Sequence, residues 1–381
     1  MSAAPRRGEA PRVIFAGGGT GGHLYPALAL ADALRRLDPR TEVLFLGARR
    51  GVEARVLPAR AVPHRLLPFE PIRRSQPWQN WRLIPALTAS FAGIRSAFAE
   101  FRPHLVVGTG GYASGPVVAW AALKGVPTAL QEQNSYPGLT TRWLTPRVRQ
   151  LHLAFPEARR YLKPGPRTEV FEYGNPIRPP ERTLTRADAR ARFGLGGGVV
   201  GLVVGGSQGA RALNEALLSD LAAVGTGSLQ AQPEGFELLW ATGPAHHAAI
   251  AARLAELGLQ GWVHAVPYID DMPAALAAAD LALSRAGAMA LAELCAWGVP
   301  SLLVPLPTAA ANHQEYNARA LAEAGAARLL PEAELWPGRL WAELGALAGD
   351  AALRASLAEH ALERGRPNAA DDIAAALYSL L

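Results

Sequence analysis

The chain has 381 residues, half of them hydrophobic, with 38 Lys and Arg against 32 Asp and Glu for a formal charge of +6. That length supports two domains of ordinary size with large buried cores, and a single cysteine, Cys295, excludes an internal disulfide framework. The basic balance favours a polyanionic partner, whether nucleotide, nucleic acid or anionic lipid, without choosing among them.

In chain order, Arg12–Ala16 is the first predicted strand, and it runs straight into Gly17–Leu34, "GGGTGGHLYPALALADAL", a glycine turn followed by an Ala- and Leu-rich helix. The residues before Val13 lack the apolar stretch of a secretory signal. No segment offers ~18 uninterrupted apolar residues, so the expectation is a cytoplasmic protein. Further strands are predicted at Glu42–Leu46, His104–Val107, Pro127–Leu130, Gln150–Leu153 and Glu169–Phe171, with a helix from Gly115. Gly174–Pro180, "GNPIRPP", reads as a linker because its prolines continue neither element.

The pattern then restarts. Val199–Val204 is an apolar run, a glycine turn follows, and Gln208–Ala223 is a predicted helix. Strands at Phe236–Ala241, Val263–Val266, Leu281–Ser284 and Pro300–Val304 alternate with helices, and Asn368–Leu381 is a final helix. Short apolar runs alternating with helices predict parallel sheets covered on both faces, here in two doubly wound halves.

Three turns share one construction: Gly17–Gly22, "VVGTGGYASGP" at Val106–Pro116, and "VVGGSQGARALNE" at Val203–Glu215. Glycines there let the backbone approach a ligand, and N–H groups at a helix start form an anion site. Two chemistries fit such turns. Gly17, Gly19 and Gly22 satisfy the dinucleotide fingerprint, although the second strand ends in Arg49-Arg50 with no acidic residue for a ribose, leaving only an NADP phosphate for those arginines. Gly205-Gly206-Ser207-Gln208-Gly209 matches the nucleophile elbow of serine hydrolases, with Asp270, Asp271, Asp280, His264 and His313 downstream.

The second half also carries polar side chains suited to sugars. Glu293 stands on a helix opening at Gly287-Ala288, where a carboxylate can accept both hydroxyls of a ribose. His313, Gln314 and Asn317 begin another helix, and amides offer donors and acceptors to sugar hydroxyls. Asp270 and Asp271 read as caps of the helix that follows.

Taken together and in order, "GGGTGGHLYPALALA", "VVGTGGYASGP", "QEQNSYPGLTTRWL", "YGNPIR", "VVGGSQGARALNE" and "SRAGAMALAELCAWGVPSLLVPLP" with "NHQEYNA" resemble the MurG family over Val13 to about Leu321. The resemblance implies a GT-B fold, an α/β architecture of two Rossmann-like doubly wound domains facing each other across a cleft. It implies an acceptor- and membrane-facing domain over 1–175, a UDP-sugar domain over 176–366, and a terminal helix over 367–381 packing back on the first. It implies transfer of N-acetylglucosamine from UDP-N-acetylglucosamine to undecaprenyl-linked lipid I, giving lipid II, at the cytoplasmic face of the membrane and without nucleic acid. Carried onto this chain, the implied donor contacts are Thr20, Gly21, Gly22, Asn134, Arg178, Ser207, Ile269, the run Ala288, Met289, Ala290, Leu291, Ala292 and Glu293, and Gln314. Ile269 would touch uracil, Glu293 the ribose, and Ser207 with its helix start the diphosphate. The chain departs from the usual pattern at Gln131, where a histidine commonly stands, and at Ala311, where an aspartate often does.

Joining an acceptor hydroxyl to an anomeric carbon with inversion needs a base and charge stabilisation of the leaving diphosphate. His23 is the candidate base, its imidazole having an ordinary pKa near ~6.5, with diphosphate binding as its other reading; Glu132 is the alternative base. The helix start at Ser207 and Arg178 supply positive potential, and the sequence holds no metal-ligand cluster, so no cofactor or metal is expected. Between Leu66 and Phe91, Arg73, Arg74, Trp78 and Trp81 suit an interfacial patch on anionic lipid, with a core helix as the plainer reading of the aliphatics.

Overall fold

The computed structural model describes residues 9–70, 78, 80, 81, 84–181, 183–206 and 208–381, so Arg73, Arg74 and Ser207 lie outside the described residues. The chain forms two compact units, one running to Arg178 and including Asn368–Leu381, the other spanning Pro179–Pro367.

The first unit contains β1 (Arg12–Ala16), α1 (Gly21–Leu37), β2 (Glu42–Ala48), α2 (Glu53–Ala59), β3 (His64–Leu67), α3 (Ile84–Phe101), β4 (Leu105–Gly108), α4 (Gly111–Leu123), β5 (Thr128–Glu132), α5 (Leu139–Leu144), β6 (Gln150–Leu153) and β7 (Glu169–Phe171). All pairings are parallel in the order β3-β2-β1-β4-β5-β6-β7. The central strand β1 is apolar throughout because both its faces are covered. Val13 and Phe15 join a core with Leu24, Leu28 and Leu34 of α1, while Ile14 and Ala16 join Ile94 of α3 and Val117 of α4 on the other face.

The second unit contains α6 (Arg186–Arg192), β8 (Val200–Val204), α7 (Arg211–Gly225), β9 (Glu237–Ala241), α8 (His247–Glu256), β10 (Val263–Val266), α9 (Met272–Ala278), β11 (Leu281–Ser284), α10 (Ala288–Trp297), β12 (Ser301–Leu303), α11 (His313–Glu323), β13 (Ala327–Leu329), α12 (Arg339–Gly349) and α13 (Ala351–Arg364). Its parallel sheet runs β10-β9-β8-β11-β12-β13. This is the predicted α/β class, with two Rossmann-like sheets.

The last helix, α14 (Ala369–Tyr378), returns to the first unit. Its Ala370, Ile373, Ala374 and Leu377, at helical spacing, are buried in the core shared with α1. Burying Ile373 and Leu377 stabilises the contact by about 1.5–3 kcal/mol each. Polar pins surround it: Tyr378 Oη donates to Asp38 at 3.0 Å, Arg36 pairs with Asp371 at 2.6 Å, and Gln150 donates to the Ala376 carbonyl at 2.9 Å.

Two helix starts differ from the sequence expectation. α4 begins at Gly111 instead of Gly115, since Gly110 and Gly111 hold positive φ of 96° and 76° and turn the chain directly into the helix. α7 begins at Arg211 instead of Gln208, the turn extending through Gly209 with φ 76°. A Cβ at Gly209 would lie 2.2 Å from the Thr242 carbonyl oxygen, so only glycine fits that turn.

Candidate functional site

In the first unit the two glycine turns meet at His23. This residue lies in the first turn of α1, partly exposed, and its Nδ1 is 3.1 Å from Thr20 Oγ1 and 3.3 Å from the Gly18 carbonyl oxygen. The second turn closes beneath it: a Cβ at Gly110 would lie 2.7 Å from His23 Cδ2, and one at Gly111 would lie 2.2 Å from the Gly18 oxygen. Thr109 Oγ1 donates to the His23 carbonyl at 2.8 Å, and Gln133 Nε2 donates to the Thr109 carbonyl at 2.8 Å. Thr20 and Gly22 are exposed and Gly21 half-buried at this edge.

The expectation that the first turn presents its N–H groups outward as an anion site fails at Gly19. Its N–H donates to both carboxylate oxygens of Glu53, at 3.1 and 3.0 Å, and the Ala48 N–H donates to the same carboxylate at 2.8 Å. Glu53 is 0% exposed. Sequence reasoning missed it; in the fold a Cβ on Gly47 or Gly51 would collide with its side chain.

Glu132, the alternative base, is engaged within its own loop. It is buried at the end of β5, and its carboxylate accepts from Thr141 Oγ1 at 2.6 Å, from the Asn134 and Gly138 N–H groups at 3.1 Å each, and from Asn134 Nδ2 at 3.3 Å. Burial pushes its carboxyl above the ordinary value while these donors pull the other way. The arrangement makes it the organiser of the loop that carries the half-buried Asn134. Gln131, the departure at the start of this run, is also buried and donates to Asn175 at 3.0 Å, so it supports the loop from within.

In the second unit a cavity of about 500 Å³ opens beside the third glycine turn, within the range of small-molecule sites. Gly205, Gly206 and Gly209 form one wall, Ile269 and Tyr268 another, and Ala290, Glu293 and Gln314 complete it. Burial pushes the Glu293 carboxyl up to about 7. Gln314 accepts from the Leu306 N–H through Oε1 at 3.0 Å, which turns its amide nitrogen into the group available to a ligand. Ala311 and Asn312, immediately before α11, hold φ of 53° and 54°, a left-handed conformation unfavourable for alanine. Arg285 lines the cavity with its guanidinium fixed by the Val304 and Pro305 carbonyls, 3.1 Å each, and ion-paired to Glu332.

Not every residue of the expected donor set reaches that wall. Along α10, Gly287, Ala290, Glu293 and Leu294 line the cavity, as 3.6 residues per turn require. Ala288, Met289 and Ala292 are half-buried and outside the lining, and Leu291 is buried in the core. Asn317 is fully buried and donates to the Ala286 carbonyl at 3.3 Å, supporting the strand-to-helix turn from behind. Arg178 is exposed at the end of the first unit. Sequence reasoning missed Tyr268, Arg285 and Glu332.

The side chains a hydrolase triad would recruit have other duties. His264 pairs with Glu237 at 2.8 Å, Asp280 with Arg186 at 2.6 Å and Arg190 at 2.5 Å, and Asp271 caps α9 through the Ala274 N–H at 3.2 Å. Among the described residues no three His, Cys, Asp or Glu side chains gather as a metal-ligand set.

Comparison with known proteins fits this geometry. The model of the glycosyltransferase family 28 N-terminal domain matches residues 13–153, and that of its C-terminal domain residues 200–373. A protein of Moorella thermoacetica named UDP-N-acetylglucosamine–N-acetylmuramyl-(pentapeptide) pyrophosphoryl-undecaprenol N-acetylglucosamine transferase is 43% identical, over 95% of this chain and 97% of its own length. One of the same name from Lactiplantibacillus plantarum is 36% identical over 97% and 99%. The crystal structure of Acinetobacter baumannii MurG superposes with a TM-score of 0.75 at 29% identity, covering 97% of this chain and 99% of that one.

Proposed function

The chain belongs to the MurG family of family-28 glycosyltransferases, and on that premise we propose that it moves N-acetylglucosamine from UDP-N-acetylglucosamine to the undecaprenyl-pyrophosphoryl N-acetylmuramyl-pentapeptide, giving lipid II. The observation that carries this reading is the near full-length identity to transferases of that name, joined to a cavity walled by Ile269, Glu293, Gln314 and a glycine turn. In the cavity, Glu293 takes the ribose hydroxyls, Ile269 the uracil edge and Gln314 a sugar hydroxyl. The glycine turn before α7, with Ser207, receives the diphosphate, where N–H groups and the positive helix end stabilise charge as UDP leaves.

His23 is the base. A carbonyl oxygen cannot donate, so the Gly18 contact is favourable only when Nδ1 carries the proton. Nε2 is then the nitrogen that removes the proton from the acceptor 4-hydroxyl as it attacks the anomeric carbon from the face opposite UDP. Glu53 beneath the first turn places negative charge where a diphosphate-binding turn would want none, which favours the base role of His23 over the anion-binding one.

The acceptor's lipid requires a membrane, and the docking surface is the stretch through Trp78 and Trp81 into α3. These tryptophans are 70% and 66% exposed, and Ile84, Leu87 and Phe91 expose a single apolar face of α3 at helical spacing. With Arg73 and Arg74 a few residues earlier in the sequence, the chemistry suits the anionic cytoplasmic leaflet and peripheral attachment. No helix among the described residues is long and apolar enough to cross a membrane.

The deciding assay follows radiolabel from UDP-N-acetylglucosamine into a short-chain lipid I analogue. Labelled disaccharide product is expected; donor binding without product for any muramoyl acceptor would sink the reading and leave a sugar-nucleotide sensor.

A further inference from the structure

The Gly18–Gly19 peptide has both its polar groups committed, and to two different side chains. Its N–H donates to the Glu53 carboxylate at 3.0–3.1 Å, and its carbonyl oxygen lies 3.3 Å from His23 Nδ1, which Thr20 Oγ1 also approaches at 3.1 Å. One planar amide therefore joins a fully buried carboxylate to the imidazole. The carboxylate also accepts from the Ala48 N–H at 2.8 Å, and glycines at 18, 47 and 51 surround it, where a Cβ would stand 2.1, 2.7 and 2.1 Å from the Glu53 side chain. A larger residue at any of these three positions would push the Glu53 side chain from where it lies.

We propose that Glu53 is a positioning residue for His23, acting through the Gly18–Gly19 peptide. The carboxylate draws on the amide N–H and so fixes the direction of the amide carbonyl. The carbonyl holds the proton on Nδ1, which sets the tautomer and leaves the lone pair on Nε2. Polarisation along the chain of hydrogen bonds strengthens the second bond as the imidazole gains positive charge. The arrangement does what a carboxylate directly on Nδ1 does in a hydrolytic triad, with a backbone amide interposed. Glu53 touches neither substrate nor the reacting atoms, and its charge need not be exposed to act.

This inference rests on His23 being the base, and a double-mutant cycle separates the two ideas. Glu53→Gln keeps the size but sets an amide NH₂ against the Gly19 or Ala48 N–H. It should lower kcat by about 10- to 100-fold, the range for groups that orient a reactive ligand, with KM for UDP-N-acetylglucosamine unchanged. In a His23→Gln background the same substitution should cost almost nothing, because the residue it orients is gone. An undiminished Glu53→Gln loss in that background overturns the positioning role and makes Glu53 a support of the fold. Near-normal kcat for His23→Gln alone overturns the base reading, and the positioning role falls with it. A third measurement reads the tautomer in the unsubstituted protein: ¹⁵N-histidine NMR, with the His23 signals identified by their loss in a folded His23→Gln variant. The Nδ1–H tautomer is expected, and the Nε2–H tautomer would overturn the proposal.

Discussion

Glu132 accepts a hydrogen bond from Thr141 Oγ1 at 2.6 Å, which ties the end of β5 to the middle of α5 and closes the intervening loop around one carboxylate. With backbone donors at Asn134 and Gly138 on the same group, the side chain faces into its own loop. Glu132→Gln should lower the melting temperature, since hydrogen bonds to a charged group contribute about 1.5–3 kcal/mol, and should slow turnover far less than loss of His23. His23→Ala should lower kcat by ~10² to 10⁴ with UDP-sugar affinity nearly intact. Measured side by side, an equal kcat loss in Glu132→Gln with unchanged melting would transfer the base role to Glu132. A large rise in acceptor KM with normal kcat in His23→Ala would make His23 a diphosphate ligand.

Glu293→Ala should weaken UDP and UDP-sugar binding by ~1 to 3 kcal/mol, the scale for losing hydrogen bonds to a charged acceptor. Calorimetry on the folded variant checks this, and an unchanged Kd removes Glu293 from the ribose.

The same carboxyl gives the binding reaction a pH dependence. Burial holds Glu293 at about 7 in the ligand-free cavity, so at pH 6 most of it carries a proton. Ribose hydroxyls donate to the ionised form and favour it, so UDP binding should release protons below pH 7 and tighten as pH rises through that value. Titrations at pH 6 in buffers of different ionisation enthalpy read the proton count directly; net proton uptake would contradict the assignment.

Transfer should persist in excess EDTA. Of the cavity's carboxylates, Glu332 is ion-paired to Arg285, and Glu293 is the one left to meet a ligand, a poor set for a divalent ion on a diphosphate. Activity lost in EDTA and restored by Mg²⁺ or Mn²⁺, with the fold intact, would refute stabilisation of the leaving group by the glycine turn.

Replacing Arg73 and Arg74 with glutamate should release the protein from anionic vesicles, more readily as salt rises, since each arginine near such a surface contributes ~1 kcal/mol. Turnover of a soluble short-chain acceptor should survive. Equal co-sedimentation of the double variant, or loss of soluble activity as well, would assign the stretch to the fold or the active site.

The central strands were legible because burial on both faces leaves them uninterrupted apolar runs, as in Val13-Ile14-Phe15-Ala16. Two edge strands were missed: His64–Leu67 and Ala327–Leu329 are short, interrupted by polar residues and paired on one side alone, whereas the edge strands Glu169–Phe171 and Val263–Val266 were read within their bounds. At the candidate site, side chains acting close to their own glycine turns, such as His23, could be read from local spacing. Glu53 could not, because its task is defined by Gly19, 34 residues away in sequence. The run Ala288–Glu293 was taken whole, whereas a helix turns only some of its members toward a cavity, and Leu291 is buried in the core; Asn317, grouped with Gln314 for its amide, is buried behind the Ala286 turn.

The return of α14 to α1 also dictates an order of events during synthesis. The helix that begins beside His23 shares its core with Ile373 and Leu377, yet all of Pro179–Pro367 must be made before those residues exist. At ~5–20 residues per second, that is a delay on the order of 10–40 s. Through that interval the apolar face of α1 that α14 later covers has no cover of its own from this chain, while the second unit already has every residue of its core. The first part made is therefore the last part finished, and a chaperone that engages the nascent protein has its longest opportunity at the face of α1 that awaits α14.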